Sequence, residues 1–157
     1  MKKNKLILIF VSLIFMLTQS ACVHKETLTT TVIHDRIIFG KTNTKELENQ
    51  FGKPNEVVHS LNKVNRKFEA DNSKEGSTND LLDEYTNYFT TIKYAKGTHN
   101  GIYEAYYEYQ NKDYGLEYVR FFIIDNKVEY AMYGDIVDEK SASKDPYLKK
   151  ALSLSKE

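Results

Sequence analysis

IYEAYYEYQNKDYGLEYVRFFIIDNKVEYAMY, residues 102–133, reads as three β-strands in succession and decides the fold. Ile102 to Gln110 alternates, with Tyr103, Ala105, Tyr107 and Tyr109 on one face and Glu104, Tyr106 and Glu108 on the other. Successive strand side chains point to opposite faces, so a period of two predicts a strand with one buried side. Gly115 to Ile124 is the most apolar of the three and takes the central place, and Val128 to Tyr133 is the third. Asp125-Asn126 lies between the last two. Both residue types tolerate positive φ, as a tight hairpin turn requires.

Upstream, Ile37-Ile38-Phe39-Gly40 is a short apolar run, and residues 44–51 form a helix with both ends marked. Thr42 or Asn43 can cap its free amides, and Glu46 stands where a capping box needs it. Leu47 and Phe51 are four residues apart and share the core-facing side. Gly52 can take the left-handed conformation that ends a helix, and Pro54 prevents its resumption. Glu56-Val57-Val58 reads as extended. The polar stretch 62–80 reads as an exposed loop, an insertion. From about Asn79, the residues Leu81, Leu82, Tyr85, Tyr88, Phe89 and Ile92 form a helical apolar stripe, ended by Gly97 and His99-Asn100-Gly101. Asp145-Pro146 can start a short terminal helix through Leu152. The expected class is α+β: two helices on one face of a three-stranded antiparallel sheet, in the order helix, helix, strand, strand, strand, with an N-terminal signal and tether and a short C-terminal helix.

The N-terminus points to export. Lys2, Lys3 and Lys5 precede an apolar run from Leu6 to Leu17, which is too short to span a bilayer and suits a signal peptide. Thr18-Gln19-Ser20-Ala21-Cys22 follows and resembles a lipobox, with Gln19 where Leu is common. A plain secretory signal cut near Ser20 or Ala21 is the other reading. Cysteine arithmetic favours the first: the chain has one cysteine, which can make no internal disulfide, and lipidation with an acyl (palmitate) anchor explains both its presence and its place. The expected organisation is signal peptide 1–21, tether 22–35, an α+β domain 36–134 and a C-terminal extension 135–157.

Cleavage before Cys22 removes 21 of 157 residues and leaves 136, enough for one domain with a real core. The signal takes three of the 22 basic residues with it, leaving 19 against 22 acidic ones, a formal charge of −3. No basic stripe exists, which argues against nucleic-acid binding. His24, His34, His59 and His99 stand at no metal-ligand spacing. No Gly-x-Ser-x-Gly, Walker or dinucleotide pattern is present. Glu104 and Glu108 could pose as a glycosidase pair by position alone, but the wet face of a strand accounts for both. The expectation is no enzyme, no catalytic residue, no metal, no cofactor and no small-molecule substrate.

Ile38-x-Gly40-Lys41-Thr42, then Leu47, then Phe51-Gly52-x-Pro54 resembles the opening motif of the SmpA/OmlA (BamE-like) family of small lipoproteins. The helix–helix–three-strand layout is shared with β-lactamase inhibitor protein domains. The resemblance implies a small exported domain on a lipid anchor at Cys22, without enzyme activity, that binds another cell-envelope protein, as in outer-membrane or envelope-complex assembly. Val23, which is not the aspartate that signals inner-membrane retention, implies the outer membrane, facing the periplasm, with the cell surface as the other placement. The alternative is an inhibitor or immunity-type protein that binds a secreted hydrolase.

If Tyr103, Tyr107, Val119, Phe121, Ile123, Val128, Tyr130 and Met132 face the helices, then Tyr106, Tyr118, Phe122, Ala131 and Tyr133 face away, with Arg120, Glu104, Glu108 and Glu129. Helices on one side leave the other side of the sheet open. Aromatics with an arginine are interface composition, so Tyr106, Tyr118, Arg120, Phe122 and Tyr133 are the candidate protein-binding residues. Two other readings stand beside this one: the tether or terminal helix covers the face, or a one-residue shift of register swaps the faces.

Overall fold

The computed structural model describes residues 25–95 and 102–156, so the signal peptide, Cys22, Val23 and the turn at 97–101 fall outside the described residues. The order is α1 (Thr30–Arg36), β1 (Ile38–Phe39), α2 (Thr44–Phe51), β2 (Glu56–Val58), α3 (Leu61–Asn72), α4 (Thr78–Tyr85), α5 (Tyr88–Thr91), β3 (Lys93–Tyr94), β4 (Ala105–Gln110), a 3-10 turn (Lys112–Tyr114), β5 (Tyr118–Ile124), β6 (Lys127–Tyr133), α6 (Glu139–Ala142) and α7 (Pro146–Leu154). The class is α+β.

β4, β5 and β6 form the antiparallel meander read from residues 102–133, and β2 joins its edge beside β4, giving four strands in the order β2-β4-β5-β6. The three-stranded, two-helix layout is therefore too small: a fourth strand and seven α-helices are present among the described residues. The β5–β6 turn is the two-residue hairpin expected at Asp125-Asn126, with φ of 48° and 61° and Ile124 opposite Lys127.

β6 carries a bulge. Ile123 lies opposite Val128 and Phe122 opposite Tyr130, so Glu129 is an extra residue. An extra residue reverses the in–out alternation of everything beyond it. Val128 enters the main core as expected, but Ala131 and Tyr133 follow it there, while Tyr130 and Met132 turn to the opposite face. The bulge sits where the segment from Gly40 to Thr42 grips the strand. Gly40 N donates to Val128 O at 2.8 Å, and Val128 N donates to Thr42 O at 2.9 Å. Further along the same edge Asn79 works as a miniature strand: its Oδ1 accepts from Tyr133 N at 2.9 Å and its Nδ2 donates to Ala131 O at 3.2 Å. Thr78 Oγ1 continues the seal by donating to Gly134 O at 2.7 Å. These bonds satisfy edge groups that would otherwise be left open.

The main core lies on one side of the sheet, between Tyr109, Val119, Phe121, Ile123, Val128 and Tyr133 and the helical residues Ile33, Leu47, Leu82, Tyr88, Leu148 and Leu152. Three expectations change here. Residues 22–35 are not a free tether throughout: Leu28, Thr30 and Ile33 are buried, and Thr29 caps α1 by accepting from Val32 N at 3.2 Å. The run Thr29 to Thr31 enters a helix because its first hydroxyl serves as a cap. The stripe from Asn79 to Ile92 is two helices, because Thr86 is extended (φ −138°, ψ 176°); its hydroxyl donates to Leu82 O and accepts from Tyr88 N. The polar stretch 62–80 is not a loop but α3 and the start of α4. Val64 and Phe68, four apart, place α3 on the other side of the sheet with Tyr106, Phe122, Tyr130 and Met132.

The terminal helix α7 forms as expected, with Asp145 as its cap and Pro146 in its first turn. Asp145 does more than cap. It is buried, accepts from Tyr147 N and Leu148 N, and also accepts from Thr30 Oγ1 at 2.5 Å and Thr31 N at 2.8 Å. The extension is thus joined to α1 rather than appended to the domain.

Candidate functional site

The sheet side away from the main core is the candidate site, and α3 covers it. Arg120 stands at its centre on β5, 2% exposed. Glu108 is directly across the ladder on β4; Arg120 donates to it from Nε at 3.1 Å and also from Nη2. Nη1 donates to Asp71 in the last turn of α3. The guanidinium carbon lies 4.2 Å from the Tyr118 ring centroid and 5.0 Å from that of Tyr106, within cation–π range. Burial works against the charge, but the bonds to Glu108 and the field of Asp71 outweigh it and hold Arg120 above its usual pKa. Asp71 has a second cation, Lys67, at 3.3 Å. Tyr106 donates its hydroxyl to Glu56 at 3.1 Å.

The candidate residues do not form one open patch. Tyr106, Arg120 and Phe122 are together but buried beneath α3, and Tyr118 is half-buried beside Arg120. Tyr133 is on the opposite side, in the main core, its hydroxyl hydrogen-bonded to that of Tyr88, which also donates to Thr30 O. Burial pushes both phenols well above their ordinary pKa. The bulge at Glu129 moved Tyr133, and α3 covered the rest. Asp71, Val64 and Phe68 belong to the site and were missed; their spacing of i, i+4 and i+7 inside a polar stretch was the available signal.

At the end of α3 the covered face opens into a cleft of about 340 Å³ between Asn72, Asp80, Asp83, Phe89, Tyr94, Tyr130 and Met132. Its acids and phenol rings suit a cationic or aromatic group. His34 is elsewhere, between α1, α5 and α7, with Nδ1 2.8 Å from Asp35, and Nε2 2.9 Å from Thr91 Oγ1 and 3.1 Å from the Tyr147 hydroxyl. Among the described residues no group of three or more His, Cys, Asp or Glu side chains is placed to hold a metal ion.

The motif residues serve the fold. Gly40 (φ 76°) turns the chain onto β6, and Thr42 Oγ1 accepts from Ile38 N at 3.0 Å. The capping box of Asn43 and Glu46 forms, and Leu47 is fully buried. Phe51 is only half-buried, against Tyr109 and Phe121. Gly52 has φ 89° and ψ −169°, positive as expected but in a region reserved for glycine rather than the left-handed helical one. Pro54 follows before β2. In the comparisons with known proteins, no family model, no curated protein and no solved structure matches the chain.

Proposed function

We propose that the protein is a lipid-anchored envelope protein, held at the outer membrane through Cys22, that acts as a non-catalytic adaptor by binding another envelope protein. The observation that carries this reading is the Arg120 site: a guanidinium between two tyrosine rings, flanked by Phe122, Tyr130 and Met132, under a single amphipathic helix. Arginine and tyrosine among apolar side chains are the residues that dominate binding energy at interfaces. The SmpA/OmlA-like motif from Ile38 to Pro54 and the lipobox-like stretch before Cys22 support the same assignment.

The short spacer fits it too. Leu28 is the first buried residue among the described residues, six residue steps from Cys22. Six steps span at most roughly 20 Å, so a lipid on Cys22 keeps the body against the bilayer surface and limits partners to those found there.

The test combines fractionation with site-specific crosslinking. Cys22→Ser should abolish lipid labelling and release the processed chain from membranes. A photo-crosslinker placed at Tyr118 should capture an integral or lipidated envelope protein from cells carrying the anchored form. A processed Cys22→Ser chain that still sediments with membranes removes the anchor. Capture of one soluble hydrolase at one-to-one stoichiometry replaces the adaptor with the inhibitor reading.

A further inference from the structure

The two sides of the sheet are held very differently. Among the described residues the main core has twenty buried residues drawn from every helix but α3 and from the sheet, while the cluster under α3 has four, of which only Val64 comes from the helix. Phe68, partly buried, is its second apolar anchor, touching Tyr103, Phe122 and Tyr130. Asn65 adds a pair of bonds to the Tyr103 backbone at 2.9 and 3.0 Å. The ends of α3 are weak. Ser60 makes no side-chain cap bond, the first turn has no acid and the last no base, whereas α2 and α4 both begin with capping boxes. A helix of this length has little stability of its own in water. Beyond it, Gly76 has φ 67° and open space around it, while Lys74 is fixed to Asp135 at 2.5 Å and Ser77 is fixed in the α4 cap.

Arg120 is built to survive the loss of this cover. Removing one partner from a buried ion pair is normally prohibitive, because a bare charge remains. Here Glu108 belongs to the sheet and Asp71 to the helix, so lifting α3 leaves Arg120 paired with Glu108 and stacked on Tyr118. Asp71 in turn keeps Lys67, its neighbour on the same helix.

We propose that α3 is a hinged cover that lifts from the sheet as a unit, with the Asp71–Arg120 pair as its latch, and that the face it uncovers is the working surface. The lifting is a property of the chain alone; only the use of the uncovered face rests on the adaptor reading. Sub-global opening of a weakly held element is expected to run well ahead of global unfolding.

Met132 supplies a specific reporter. The chain has three methionines, Met1, Met16 and Met132, so Met132 is the one downstream of Cys22, and it lies 1% exposed in the cluster under α3. Its sulfur should oxidise in dilute peroxide only when the cover lifts. In the anchored, full mature protein, amides from Val64 to Phe68 should exchange hydrogen at least a hundredfold faster than those from Phe121 to Ile123. Asp71→Asn should raise both α3 exchange and Met132 sulfoxide formation at least fivefold, leaving the Phe121–Ile123 amides within twofold of the parent. Val64→Ala should give the same selective pattern. The proposal is overturned if α3 and β5 exchange together, if the variants accelerate both alike, or if Met132 stays reduced while α3 exchanges, which is fraying in place. Selective opening without partner capture leaves the cover standing and removes the adaptor reading; capture without selective opening does the reverse.

Discussion

Replacing Arg120 with alanine separates a surface arginine from a buried, paired one. An exposed interface arginine leaves no cavity, and its loss costs well under 1 kcal/mol of stability. Arg120 is 2% exposed and holds two carboxylates whose side chains are only 10% (Asp71) and 20% (Glu108) exposed. Breaking a buried pair from one side costs about 3–5 kcal/mol. Two features move the expectation to the lower end. Asp71 retains Lys67 at 3.3 Å, and water can reach Glu108 on its exposed fifth. About 3 kcal/mol is therefore expected, with the lost packing under Tyr118 and Tyr106 included. At a urea dependence of about 2 kcal/mol per molar, the midpoint should fall by about 1.5 M. Equilibrium urea unfolding followed by tyrosine fluorescence measures it. Arg120→Met with Glu108→Leu and Asp71→Leu should recover most of the loss, because an apolar set of similar volume removes the charges along with their partners. A cost below 1 kcal/mol for Arg120→Ala would refute the burial of this side chain under α3, and with it the covered site.

Stability should fall steeply in alkali. Burial raises the pKa of Tyr103 to about 12 and also raises those of Tyr88, Tyr109 and Tyr133. The unfolded phenols lose protons near pH 10 while the folded ones keep theirs, so stability is constant below that pH. It then declines by about 1.4 kcal/mol per pH unit for each tyrosine that stays protonated; urea midpoints from pH 8 to 11, with tyrosinate absorbance, check the onset. Gly52→Val should cost about 1–3 kcal/mol from backbone strain at φ 89°, and an unchanged melting temperature would contradict that conformation. Asn79→Ala should cost about 2–3 kcal/mol by leaving the Tyr133 amide and the Ala131 carbonyl unpaired on the edge of β6; hydrogen exchange at Tyr133 should rise before any global change.

What the sequence made legible was short-range. The Asp125-Asn126 hairpin, the Asn43–Glu46 box and the Asp145-Pro146 helix start each depend on a few adjacent residues, and each forms. The bulge at Glu129 depends on Gly40, Thr42 and Asn79, which reach β6 from distant parts of the chain, so strict alternation carried Tyr130, Met132 and Tyr133 to the wrong sides. α3 was hidden for a different reason. Its buried stripe is two residues wide in a strongly polar stretch, and composition masked the period of Val64 and Phe68. The candidate site inherited both errors. Arg120, Tyr106 and Phe122 share a face as read, but a helix lies over them and Tyr133 is absent from it.

The joint at Asp145 also sets how the molecule bears load. Tension on the N-terminal end of the body would enter where Glu26 N meets Gln50 O at 2.9 Å, then reach Thr30 and Thr31. There the Asp145 carboxylate carries it into α7 through four hydrogen bonds, two on each side. The C-terminal helix is thus the backstop of the N-terminal segment. Cutting the chain before residue 145 would remove this link and, with it, Leu148 and Leu152 from the main core.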